Sequence, residues 1–472
     1  MIQINIVPSD IVGFSVKEYA NFQKLMDVFN LHSFKNYEKQ KYYEGKVTLE
    51  DVNLGIALPE TLRRLQIGCA WGAKTVDVLA ARSMFDGFVG SNGNDVDELD
   101  QIVIENDLIA EYEKCTRDEL KLGCTFVTLS LDSTKNVKIR FHSPMTAAGL
   151  WDGVKGRLQC GFAIVDTVSD NSDKIWTPSV LNYYTDNAIW VIKKGEDDIW
   201  RAYKFPQKID RPLMEPLIWN ATTDKPFGRS RIKEPIRRLI DGYIRTIANA
   251  TIGLEFATSP QKYLLGVTDD QYDAIVSDKF RQYVGSIITS TANPETGNNP
   301  VFGQLQQGTI TPHVEMMRLL ATQFSAATGL SVTDTGVVND ANPTSSDAIL
   351  AQSQTLVAMA EQLNTGNGIG LRNVALMALA LKHDVSLDGL TNEQKDIVAH
   401  FKNPAMPSVA ITTDAAIKIA SVRDGFAYTD TFLEMIGFDK AAVRRIKAQE
   451  AQSRGLDVLG EFNEVYTEEG LE

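Results

Sequence analysis

The chain has 472 residues, 43% of them hydrophobic and 23% charged, with a formal net charge of −14. That length points to about three structural units around a sizeable core. The acidic balance argues against tight duplex binding, which depends on Lys and Arg neutralising phosphates, but it does not exclude a protein that DNA must slide past without sticking.

In chain order, Val16, Tyr19, Phe22, Leu25, Met26 and Phe29 recur at helical spacing and predict an amphipathic helix within residues 15–45. Pro59 opens a second helical region, with Leu62, Leu65, Ile67 and residues 76–81 as its apolar positions. A loop, GSNGND, follows at 90–95, and an acidic amphipathic helix is expected over about 95–122, carrying Leu99, Ile102, Ile104, Leu108, Ile109 and Tyr112.

The pattern then changes. Residues 125–131, 137–141, 161–168, 180–184, 188–193 and 199–205 are short runs rich in Val, Ile, Thr, Tyr and Trp, separated by turns such as Asp170-Asn171-Ser172 and Gly195-Glu196-Asp197. They predict an antiparallel β region over about 125–205. Trp176, Trp190 and Trp200 inside it, and Trp151 and Trp219 at its borders, are expected to pack in cores.

Helix returns after Pro226-Phe227-Gly228. Residues 229–257 are periodic, with Ile232, Ile236, Leu239, Ile240, Tyr243, Ile244 and Ile247 on one face and Arg229, Arg231, Lys233, Arg237, Arg238 and Arg245 on the other. Residues 258–311 break into short pieces around Pro260, Pro294 and Pro300, with strands expected at 263–267 and 286–291 about a helix at 269–283. Helix resumes at 313–328. A loop with Gly329, Gly336, Asn339, Asp340 and Asn342 leads through Pro343 into a helix over about 344–364. Asn364-Thr365-Gly366-Asn367-Gly368 is expected to interrupt it before helix continues at 371–382. Residues 408–472 are expected to be helical, with an acidic tail from Leu456.

Searches for chemistry return nothing. The sequence lacks a phosphate-cradling G-x-x-x-x-G-K-[ST], a G-x-G-x-x-G, an H-E-x-x-H and a G-x-S-x-G. The five His residues are scattered, and Cys69, Cys115, Cys124 and Cys160 form no C-x-x-C pair, as expected of free thiols in a reducing compartment. Neither a metal site nor a cofactor nor an enzymatic activity is expected. MIQINIVPSD does not read as a signal peptide, and the longest apolar stretch, 371–381, is shorter than the ~20 residues that span a bilayer. A soluble, intracellular protein is expected.

Two long helices flanking a small module read as a stalk with a tip or as an ordinary α+β protein with a helical hairpin, and four further segments bear on the choice. Pro226-Phe227-Gly228-Arg229-Ser230-Arg231-Ile232 opens a helix. Thr328-Gly329-Leu330-Ser331 leads by a loop into Asn342-Pro343-Thr344-Ser345-Ser346-Asp347-Ala348-Ile349. Tyr42-Tyr43-Glu44-Gly45 ends the first helix, and Ala415-Ala416-Ile417-Lys418-Ile419 lies late in the chain. In order and spacing these resemble the SPP1-type portal family of long-tailed bacteriophages over about residues 16–455. Ser331 stands near where that family often has Pro, and Ala where it usually has Asp in the last segment.

The resemblance implies an α+β portal fold and a ring, usually of twelve subunits, at one capsid vertex. Residues 1–228 would form an α/β wing, 229–257 and 312–328 the stem helices, and 258–311 the clip. The tunnel loop would be 329–346, the long helix and wing return 347–407, and the crown 408–472. Double-stranded DNA would pass through the ring. The large terminase, the head–tail adaptor, the major capsid protein and the scaffolding protein would be partners, in the virion and, during assembly, in the host cytoplasm. Ser331, Thr333, Asp334, Thr335, Asn339 and Asp340 would belong to the tunnel loop. Arg229, Arg231, Arg237, Arg238 and Arg245 would face neighbouring subunits or DNA. The alternative is a minor head or adaptor protein without a DNA tunnel.

Overall fold

Residues 147–206 alternate apolar and polar positions and fold as a meander of β5 (Ala147–Asp152), β6 (Arg157–Ser169), β7 (Trp176–Thr185), β8 (Ala188–Lys194) and β9 (Trp200–Pro206), each antiparallel to the next. Its far edge is closed by β1 (Ile11–Val12), which pairs in parallel with β9. The computed structural model describes residues 6, 11–52, 60, 64, 66–90, 97–169, 176–258, 262–266, 297, 299, 301–304, 309–336, 346–405, 409–438 and 442–452. The 90–95 loop, the Asp170 turn, most of the 258–311 module, the Asn342–Pro343 segment and the acidic tail lie outside those residues.

The helix Val16–Tyr43 lays Phe22, Leu25, Met26 and Phe29 on this sheet. Each such side chain contributes roughly 1.5–3 kcal/mol when fully buried. Phe14 meets Phe22, Tyr183 and Trp190 edge-on, with centroids 5.6, 5.7 and 5.4 Å away, the geometry ring quadrupoles favour.

A second core joins the sheet β10–β3–β4 (Met214–Ile218, Cys124–Leu131, Val137–His142) and the pair β2–β13 (Phe85–Gly90, Ile397–Phe401) to the helices Asp97–Glu105 and Leu108–Leu122. The helix Ser346–His383 crosses this core with Leu371, Val374, Ala375 and Ala378 fully buried. A third core gathers the helix Trp71–Ala80, the helices Glu234–Thr258 and Thr311–Thr328, and the earlier half of the long helix. All four cysteines are buried free thiols.

Three departures from the sequence reading concern helix boundaries, each with a physical cause. The helix expected over 95–122 is two helices. Asn106 donates to the carbonyls of Ile102 and Val137 and accepts from the Ile139 N–H, and Asp107 turns to φ +49°. The helix expected from 229 starts at Glu234, because Ser230 Oγ bonds the Lys121 carbonyl and the Ile232 N–H instead.

The third departure is the stretch 364–368, which does not interrupt its helix. Ser83 donates to Asn364 at 2.6 Å, and Asn367 donates to Tyr112 Oη at 2.9 Å and to Glu119 at 2.8 Å. These buried bonds outweigh weak local propensity. Burial pushes the Glu119 carboxyl up to about 8. Just beyond, Gly370 rests on β10, where an added methyl would come 2.5 Å from Leu217 Cδ2.

Candidate functional site

The helices Glu234–Thr258 and Thr311–Thr328 pack through Ile236, Ile240 and Ile244 against Leu320 and Phe324, a stripe at spacing four. Trp71, the first residue of its helix, is 3% exposed and seals this pair to the body. Its indole lies 4.2 Å from the Tyr243 ring and 4.6 Å from the Phe324 ring, centroid to centroid. Its Nε1–H donates to the Thr335 carbonyl at 3.1 Å. One side chain therefore holds both helices and the turn that follows the second.

Arg231 completes the junction. Its Nε donates to the Thr75 carbonyl at 2.6 Å and its Nη2 to the Thr328 carbonyl at 2.8 Å, with the guanidinium 5.9 Å from the Trp219 ring. Thr328 ends its helix, so its carbonyl has no intrahelical donor and carries negative partial charge. Burial lowers the Arg231 pKa to about 10, which leaves it charged at neutral pH. Tyr42 and Tyr43 fasten the first helix to the same region, donating to Asp241 and Asp77, each at 2.8 Å.

The arginines expected at an interface or on DNA separate into two groups. Arg231 precedes the helix and donates to carbonyls of its own chain. Arg237 pairs with Glu38 and Glu234, exposed Arg238 pairs with Glu234, and Arg229 lies 3.7 Å from Asp224. Arg245 is half-buried and donates to the Asp241 carbonyl at 3.3 Å. Glu234, absent from the sequence reading, pairs with both Arg237 and Arg238.

In the loop, Gly329 closes the helix in the left-handed conformation, φ +73°. Ser331 Oγ donates to Asp334 at 2.8 Å, and Thr333–Thr335 form a 3-10 turn. Thr333 is exposed, and Ser331 and Asp334 are half-buried. Thr335 is buried, with its hydroxyl donating to the Val332 carbonyl; its part is internal. Asn339 and Asp340 lie outside the described residues. Among the described residues, no three His, Cys, Asp or Glu side chains gather as metal ligands, and no helix is long and apolar enough to cross a membrane.

The family model described as phage portal protein, SPP1 Gp6-like, matches residues 31–455. The chain belongs to this portal family. A portal protein of Mycobacterium phage L5 is 22% identical over 432 residues, covering 89% of this chain and 86% of the relative. Among solved structures, the neck of a native GTA particle computed with C12 symmetry has a TM-score of 0.43 at 14% identity, over 79% of this chain and 90% of that one. The neck of an empty GTA particle computed with C6 symmetry has a TM-score of 0.43 at 13% identity, over 76% and 88%.

Of the segments that carried the portal resemblance, Tyr42–Gly45, Pro226–Ile232 and Thr328–Ser331 lie at joints of the fold, and Ala415–Ile419 lies within the helix Val409–Val422. Gly228 has φ +67°, and a methyl there would sit 2.1 Å from the Trp219 carbonyl oxygen, so Pro226–Arg231 is a tight turn that delivers Arg231 to its carbonyls. Trp71 and the Glu119–Asn367–Tyr112 cluster escaped the sequence reading. The signal for Trp71 was only a large aromatic opening a helix, and for the cluster only polar residues on otherwise apolar faces.

Proposed function

We propose that the chain is the portal subunit of a tailed phage. It assembles as a ring, most simply of twelve copies, at one capsid vertex, and duplex DNA enters and leaves through the ring. The observation that carries this reading is the family match along residues 31–455. The packing of the two helices on Trp71 supports their assignment as the stem, since a stem must be held firmly by the body. In this reading 258–311 is the clip, which meets the large terminase during packaging and the head–tail adaptor afterwards. The tunnel loop is 329–346, and the crown is 408–472. The subunit performs no chemistry; a separate ATPase drives DNA.

The net charge of −14 per copy supports a conduit that does not retain phosphates. Mass photometry with negative-stain microscopy tests the assembly. Twelve chains of 52.2 kDa give a closed ring of about 630 kDa. A particle near that mass with a central hole is expected. A compact oligomer without a hole would support the minor head or adaptor reading instead.

A further inference from the structure

A cleft of about 870 Å³ opens between the helix Val16–Tyr43, the start of β5 and residues 225–237. Phe29, Leu122, Phe126, Ala148, Phe227 and Ile232 give it apolar walls, while Lys35, Lys39, Lys225, Arg229, Lys233 and Arg237 contribute cations. Glu234 is its one acidic lining residue among those described, and it is already engaged by Arg237 and Arg238. Among the described residues, Lys35, Lys225 and Lys233 form no ion pair, and half-buried Lys39 donates to the Leu122 carbonyl at 3.3 Å rather than to a carboxylate. Burial and the nearby Arg237 and Lys35 hold the Lys39 ammonium below its ordinary pKa. In a chain with this acidic surplus, the cleft is a cationic, partly desolvated socket.

The inverse surface lies at the other end of one helix. Leu122, the last residue of Leu108–Leu122, is in the cleft wall. About 20 Å away, at 1.5 Å per residue, the helix begins beside a ridge on which Ile104 is 73% and Ile109 42% exposed. Glu105, Asp107 and Glu113 stand exposed around them. Leu122 in the cleft wall and Ile109 and Glu113 on the ridge share one rigid helix, so a chain cannot turn its own ridge into its own cleft. A neighbouring copy can.

We infer that the ridge at Ile104–Glu113 of one copy docks in the basic cleft of the next, the isoleucines entering between the apolar walls and the carboxylates meeting the lysines. The contact joins two different surfaces head to tail, the type that generates rings when its rotation closes. This inference rests on the ring reading above and names the contact that builds the ring.

Charge exchange at exposed positions tests it. One variant carries Lys35→Glu with Lys233→Glu, a second carries Glu105→Lys with Glu113→Lys, and a third carries all four. Circular dichroism and melting temperature confirm that each folds. Ring fraction is read by mass photometry near 0.15 M salt. Either reversed pair is expected to lower the ring fraction about tenfold, and the fourfold variant to restore most of it. Unchanged rings in the two pair variants, or no restoration in the fourfold variant, overturn the inference. So does sensitivity in the cleft pair alone, which would assign the cleft to another anionic segment such as residues 456–472. An unmodified chain that forms no ring sinks the ring reading itself, an outcome distinct from the others.

Discussion

Trp71 joins three pieces of the chain that are far apart in sequence, and its two kinds of contact can be separated by substitution. Trp71→Ala removes the stacking and leaves a void, at a cost of about 3–5 kcal/mol. Trp71→Phe keeps most of the apolar contact but strips the donor from the buried Thr335 carbonyl, at about 1–3 kcal/mol. Denaturant unfolding of the two variants measures both. Equal losses would mean that the hydrogen bond adds nothing to the packing.

Glu119 gives a pH signature. Its carboxyl is pushed from an ordinary 4.5 up to about 8 by burial. Below pH 4.5 the folded and unfolded chains both hold the proton. Between pH 4.5 and about 8 only the folded chain keeps it, so the unfolded state gains by ionising and stability falls as pH rises. Glu119→Gln removes this slope. Its melting temperature should therefore gain on the parent from pH 5 to pH 8, and parallel curves would show that Glu119 does not stay protonated.

At the scale of elements, the C-terminal helices Val409–Val422, Asp430–Ile436 and 442–452 differ from the body in how they are held. Ala416 and Val443 are their buried apolar residues among those described, while ion pairs Arg444–Asp100 and Lys447–Asp430 join them to the body and to each other. Surface pairs are weak and screened by salt. Hydrogen exchange in 409–452 should be the first to accelerate between about 0.05 M and about 0.5 M salt, with Arg444→Ala mimicking the high-salt state. Exchange in this region no faster than in the body would overturn that account.

Elements with a regular apolar period were readable from the sequence, and the rest were not, for identifiable reasons. The six strand runs between 125 and 205 alternate strongly enough to be seen. Met214–Ile218 was missed because Glu215 and Pro216 break its alternation, although all of Met214–Leu217 is buried. The strand pair Phe85–Gly90 and Ile397–Phe401 is formed by segments about 300 residues apart, a pairing no local window contains. Asn364–Gly368 looked like a break because its partners, Ser83, Tyr112 and Glu119, come from distant turns of the chain. Arg231 looked like an exposed member of a basic helix face because Ser230 stops the helix from starting early. At the candidate site, the segments Pro226–Ile232 and Thr328–Ser331 mark the junction, but the identity of the residue at its centre, Trp71, came only from three-dimensional packing.

At the scale of the whole molecule, the proposed ring would repeat every surface at each junction, and the acidic surplus of each copy with it. Neighbours must then meet where charge is locally reversed, and the cleft and ridge supply such a pair on one subunit. Lys35, Lys233, Glu105 and Glu113 are exposed, so under that proposal their charges could be reversed with little effect on the fold.

The unbroken helix Ser346–His383 has a mechanical consequence. It lies against β10 near Gly370, and from Ser346 to Gly368 it runs about 33 Å at 1.5 Å per residue. Within that span Leu356, Ala360 and Leu363 are buried in the third core, so one rigid rod ties the helix pair Glu234–Thr258 and Thr311–Thr328 to the sheet at Gly370. A shift at either end is therefore passed along the rod to the other, because a packed helix moves as a unit rather than bending at its middle.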